Sequence, residues 1–138
     1  MQNCITISND VLILATTLHI EAEGEPHAGK RAVADVIFHR AKGDTVKMVR
    51  IVSGPRWNGV YGVQLLQKRI LNPDRRVGEA WQDCVTLALG LKSGYYAPSL
   101  KVNLFCKINL DPAWKSSPKV SFVCNIKNHD FFWEEGQS

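Results

Sequence analysis

No stretch of this 138-residue chain approaches the roughly 20 consecutive apolar residues needed to span a bilayer, so stable membrane insertion is not expected. The short apolar segment Val11–Leu14 has no Lys or Arg before it, so it lacks the charged start of a secretory signal peptide. Export, if it occurs, then needs another device or a trimmed precursor. The four cysteines, Cys4, Cys84, Cys106 and Cys124, form no CxxC pair, which argues against a zinc ribbon or a thioredoxin-type site. HExxH and GxSxG are both missing, and with them the usual local signatures of a zinc peptidase and a serine esterase. There is no linker, low-complexity tract or internal repeat, and the length suits one domain, residues 1–138, around one core.

What is present is a mild basic excess, 17 Lys and Arg against 13 Asp and Glu for a net charge of +4. Such a balance favours a polyanionic partner: nucleic acid, an anionic membrane or the bacterial wall. The basic residues are spread along the chain and only Lys68-Arg69 and Arg75-Arg76 adjoin, so no nucleic-acid partner is expected.

The pattern of apolar residues predicts helices over most of the chain. Asn9 or Asp10 can cap a first helix. Val11, Leu14, Ala15, Leu18 and Ala22 form one stripe along it, and Gly24 and Pro26 stop it. A second helix is expected over Gly29–Arg40, and a third, capped by Thr45, carries Val46, Val49 and Val52. Arg56–Gly62, with Asn58-Gly59, reads as a turn-rich loop displaying Trp57 and Tyr61, followed by a helical stretch from Val63 to Leu71. The strongest helix holds Val77, Ala80, Trp81, Cys84, Val85 and Ala88. The period then changes to two. Val102, Leu104, Cys106 and Ile108, and later Val120, Phe122, Cys124 and Ile126, alternate with other residues, which predicts a β-hairpin around Leu110–Pro118 with Cys106 facing Cys124. The expected class is α+β, with a helical N-terminal two-thirds and a small C-terminal hairpin.

The feature richest in chemistry is His19-Ile20-Glu21-Ala22-Glu23-Gly24-Glu25-Pro26, three carboxylates at a helix C-terminus. The macrodipole places partial negative charge there, so acids are poorly placed for stability. Glu21 falls roughly 80° from the centre of the apolar stripe, at the edge of the buried face. A carboxyl so placed is partly desolvated and still able to reach a ligand, as a glycosidase general acid must be. Two further uses of the segment stay open. His19, Glu21, Glu23 and His27 are residue types that suit zinc, although His19 and Glu21 sit on different faces of a helix. His19-Ile20-Glu21 has the H-x-E of zinc deaminases, but no P-C-x-x-C follows. Cys84, Cys106 and Cys124 lie on apolar faces and read as core residues. Loop aromatics, among them Trp57, Tyr61, Tyr96 and Trp114, are candidates for stacking on sugar rings, whereas Trp81 belongs to a helix stripe and reads as core.

Leu18–Arg40, LHIEAEGEPHAGKRAVADVIFHR, resembles the opening motif of the SleB/CwlJ-type cell wall hydrolases, a spore-cortex-lytic family with many phage relatives. Their pattern is an apolar helix, E-A-x-G-E, then G-x-x-A-V-A-x-V-I and N-R; here His39-Arg40 stands in the last place. Further on, Thr45–Val52, Trp57, Asn103-Leu104-Phe105, Trp114 and His129 with Phe131 and Phe132 follow the family's order, while Tyr61–Arg76 matches nothing in it. The resemblance implies a lysozyme or lytic-transglycosylase-like fold and cleavage of peptidoglycan glycan strands with Glu21 as general acid/base. It gives Glu25 a role in shaping the turn or bonding backbone amides, and places Asn103 and His129 in the cleft. It implies no cofactor or metal, a monomer acting on the bacterial wall in the cell envelope, and either a phage endolysin held in the host cytoplasm until holin-type release or a trimmed secreted enzyme. Asp35, Asp111 and Asp130 are poor candidates for a second carboxylate. A non-catalytic glycan-binding domain on the same fold and a metal-dependent peptidoglycan amidase are the alternatives.

Overall fold

The computed structural model describes residues 8–136, with the side chains of residues 58–61 left outside the description. The chain is α+β: five α-helices are followed by a three-stranded antiparallel sheet. Helix α1 (Asn9–Ala22) is capped by Ser8, whose hydroxyl accepts from the Val11 amide, rather than by Asn9 or Asp10. It is the central element, packed against α2 (His27–Arg40), α3 (Thr45–Ser53), α4 (Pro55–Ile70) and α5 (Gly78–Ser93). Leu14, Leu18, Val33, Ile37, Val52, Cys84 and Leu91 meet around it and are fully buried, and Trp81 is buried with them. Asp44, not Thr45, caps α3, accepting from the Val46 and Lys47 amides.

The expected loop at Arg56–Gly62 is instead the first half of α4. Gly54 ends α3 and caps α4, and Pro55 occupies the first turn, where its missing N–H costs nothing. Gly54-Pro55 is thus at once a stop and a restart. Helix α5 closes on Gly94 at φ +82°, the left-handed conformation that favours glycine.

The sheet corrects the expected hairpin. Strands β1 (Leu104–Lys107) and β2 (Val120–Ile126) do not pair with each other. Strand β3 (His129–Glu134) lies between them, antiparallel to both. The true hairpin is β2–β3, turning at Lys127-Asn128. A bulge at Val123 changes the face of β2, so that Phe122 pairs with Phe132 while Cys124 pairs with Phe131. Cys106 is opposite Asp130 and so shares a face with Phe132, while Cys124 shares the other with Phe131. Two strand spacings and opposite faces separate the two thiols, beyond the reach of a disulfide. Cys84, Cys106 and Cys124 are all free.

The hairpin tip is fastened to the turn that follows α1. Lys127 Nζ donates to the Gly24 carbonyl at 2.8 Å, and the Asn128 amide donates to Glu25 Oε1 at 3.2 Å. Glu25 Oε1 also lies 2.5 Å from His129 Nδ1, with both side chains buried. Gly29 makes room for this: a Cβ there would lie 2.9 Å from Glu25 Cβ. The tie holds the end of α1 against the sheet.

Candidate functional site: an acid cleft between helix α1 and the sheet

Glu21 lies in the last turn of α1 and faces a cleft of 530 Å³. Strand β1 forms one wall, with all four of its residues lining the cleft. It is an edge strand, paired with β3 on one side and with no strand on the other among the described residues. Trp57 of α4, Trp114 of the 3-10 turn Ala113–Ser116, His129 of β3, Arg40 of α2, Arg56 of α4 and Leu110 complete it.

Burial pushes the Glu21 carboxyl up from its ordinary 4.5 to about 7, and the Lys107 ammonium opposes this only in part. The C-terminal end of α1 acts in the same direction as burial, since its exposed carbonyls repel a carboxylate. Near neutral pH this group is therefore divided between acid and base, as a proton donor that must later accept a proton requires. Among the described residues lining the cleft, Glu21 is the sole carboxylate.

The aromatic wall is a connected stack. The Trp57 ring lies 5.7 Å from Phe105, and the Arg40 guanidinium sits 5.1 Å above the Trp57 ring. Phe105 touches His129 and stacks on Phe131, which anchors the wall in the core. Trp114 stands edge-on to Phe132 at 5.2 Å. With Nδ1 of His129 engaged by Glu25, Nε2 is the remaining polar atom of its ring.

The structure thus brings Glu21, Trp57, Trp114 and His129 together. It does not bring Tyr96 or Asn103 to this cleft. The Tyr96 hydroxyl donates to Asp35 Oδ1 at 2.6 Å, and its ring packs beside Phe38. Asn103, just before β1, is buried and ties that approach to β3, donating to the Glu134 carbonyl and accepting from the Glu134 amide. Both spend their polar atoms on internal bonds. The Tyr61 side chain lies outside the described residues. The carboxylates considered as partners for Glu21 lie elsewhere. Asp35 is fully buried and accepts from the Ser99 and Leu100 amides and from Tyr96. Asp130 accepts from Asn125 Nδ2. Asp111 does not line the cleft.

Of the four residues whose types suit zinc, His19 and Glu23 lie 3.8 Å apart, while Glu21 lines the cleft and His27 sits beside Asp83. His19 is buried edge-on to Trp81, its imidazole held below the usual range by burial against the opposing pull of Glu23. Glu23 pairs with Arg69 and Arg75, and His27 lies 3.6 Å from Asp83. No group of three or more His, Cys, Asp or Glu suited to a metal occurs among the described residues. Burial pushes the Cys84 thiol up to about 12, which leaves it an inert core residue.

Sequence reading missed Arg40, Arg56 and Lys107 as lining residues. They come from α2, α4 and β1, and no local spacing joins them. Comparison with models of protein families, with curated proteins and with solved structures found no match to this chain.

Proposed function

We propose that the protein cleaves peptidoglycan glycan strands, with Glu21 as general acid and then general base. The observation that carries this reading is a single carboxyl, raised to about 7, in a cleft walled by Trp57, Trp114 and an edge strand. Aromatic faces suit the apolar faces of sugar rings, and a strand edge suits the amides of N-acetyl groups. A helix that ends in the acid opposite a small antiparallel sheet is also the arrangement of lysozyme-like folds, so the reading extends to that fold. It agrees with the likeness of Leu18–Arg40 to the SleB/CwlJ-type motif.

Among the described residues no second carboxylate lines the cleft, which favours one route over the other. Hydrolysis by a carboxylate pair needs the partner about 5–9.5 Å away across the bond. With one carboxyl, Glu21 protonates the glycosidic oxygen as the bond to the muramic C1 breaks. The 6-hydroxyl of that same sugar then attacks C1, and the Glu21 carboxylate takes the hydroxyl proton. The products are a 1,6-anhydromuramyl end and a free 4-hydroxyl, and Glu21 is again protonated. Mass spectrometry of digested sacculi tests this. Anhydro ends are expected, whereas products heavier by one water would mean a water nucleophile and direct the search for its base to Glu134 in the adjoining cavity.

A further inference from the structure

Beside the Glu21 cleft lies a second cavity, of 620 Å³, whose charged lining is Arg40, Arg50, Arg56 and Glu134. The two spaces share Arg40 and Arg56 in their walls, so they adjoin. Three cations face one carboxylate. Arg50 at the end of α3 and Arg56 at the start of α4 are exposed, and neither has an ion-pair partner among the described residues. Arg40 is half-buried, held over Trp57, with burial and Arg56 acting against its charge and Glu134 supporting it. Gathering like charges in a concave space costs free energy in the empty protein. An anion recovers that cost, and a planar carboxylate matches the fork of a guanidinium.

The glycan backbone of peptidoglycan offers no such group, because its sugars are neutral N-acetylated rings. Its regular branch is the peptide on the lactyl ether of the muramic sugar, which leaves the strand sideways and carries free carboxylates. A strand lying along β1 past Glu21 sends that branch to one flank of the cleft, and the arginine cavity is such a flank. We propose that this cavity is an anion subsite for a carboxylate of the stem peptide, filled while the glycan strand occupies the Glu21 cleft; the proposal rests on the glycan-strand reading above.

The test compares sacculi freed of phosphate-containing polymers in two forms, with the stem-peptide carboxylates free and with them capped as amides, since removing the peptides with an amidase would expose a lactyl carboxylate on each muramic ring. The wild type is expected to cleave strands with free peptide carboxylates with a kcat/KM about tenfold higher, the scale of one charged hydrogen-bonded contact. Arg50→Gln is expected to narrow that ratio to about twofold or less without lowering Tm. Equal cleavage of both forms by the wild type, or a ratio that survives Arg50→Gln, overturns the subsite. So does a preference that follows wall phosphate rather than peptide. Calorimetry with a soluble stem peptide reads the subsite without catalysis: binding by the wild type that Arg50→Gln abolishes supports it, and no binding by the wild type overturns it. Failure to cleave either form, with peptide binding intact, instead defeats the glycan-strand reading.

Discussion

Replacing Glu21 by Gln separates what the acid does for chemistry from what it costs the fold. In the native protein the carboxyl titrates near 7 and in the unfolded chain near 4.5. Folding therefore takes up a proton between those values, and the wild type loses stability as pH rises from about 4.5 to 7. At about 1.4 kcal/mol for each tenfold change in proton affinity, and with some screening by water in the open cleft, the loss is about 2–3 kcal/mol above pH 7. Gln is the shape of the neutral acid and carries no charge at any of these values. Glu21→Gln should match the wild type in melting temperature near pH 4, where both residues are uncharged. It should melt roughly 6–10 °C higher near pH 8.5, given the size of the chain. Paired thermal melts across that range isolate this one group, because every other titration cancels in the difference. Wall lysis by the variant should fall by several orders of magnitude at all pH values, and wild-type kcat/KM should decline tenfold per pH unit above 7 as the acid form is depleted. A melting difference that does not change with pH, or a variant that keeps more than about a tenth of the activity, refutes the reasoning.

The remaining expectations concern the frame and the walls of the cleft. Gly29→Ala should destabilise the fold by about 1–2 kcal/mol after the helix-forming gain of alanine, and so lower Tm, because the new Cβ meets Glu25 Cβ at 2.9 Å; a raised Tm would show that the turn yields freely. Trp57→Ala and Trp114→Ala should each raise KM for sacculi several-fold and destabilise less than Phe131→Ala, since both indoles are half-buried and Phe131 is fully buried. An unchanged KM with a large fall in Tm would assign them to the core. EDTA should leave lysis intact, and a loss restored by zinc would favour the amidase alternative.

The helices were legible where one face meets the core and local chemistry marks an end. The α1 stripe, its stop at Gly24, and the burial of Trp81 and Cys84 all follow from spacing. Helix α4 was hidden because Asn58-Gly59 carries a turn signature, and nothing local shows that tertiary packing overrides it. Strand β3 was hidden for a different reason. As the central strand, it buries Phe131 on one face and Phe132 on the other. It therefore has no alternation, and its alternating neighbours looked like each other's partners. At the cleft, the half-buried place of Glu21 was legible from the conflict between its charge and its position, whereas no local pattern shows that Trp57, Trp114 and His129 converge on it. Tyr96 and Asn103 misled because a polar side chain outside regular structure is indistinguishable in sequence from one whose bonds are all internal. The arginines were invisible because they converge from separate helices.

The clasp between the α1 turn and the β2–β3 tip has a consequence for how the protein acquires activity. Its contacts join residues 103 and 104 positions apart in the chain. Closing so long a loop is an entropic cost that only late, non-local contacts offset, so the clasp is expected to form after the helices have assembled. Until it does, β1 and His129 are not held over the end of α1, and Glu21 stays in water with the proton affinity of any surface glutamate. A partly folded or newly made chain would then carry the acid in its ionised, unreactive form at neutral pH. The acid proposed to act would then be protonated at neutral pH only with the last tertiary contacts, making the proton held by Glu21 a reporter of completed folding.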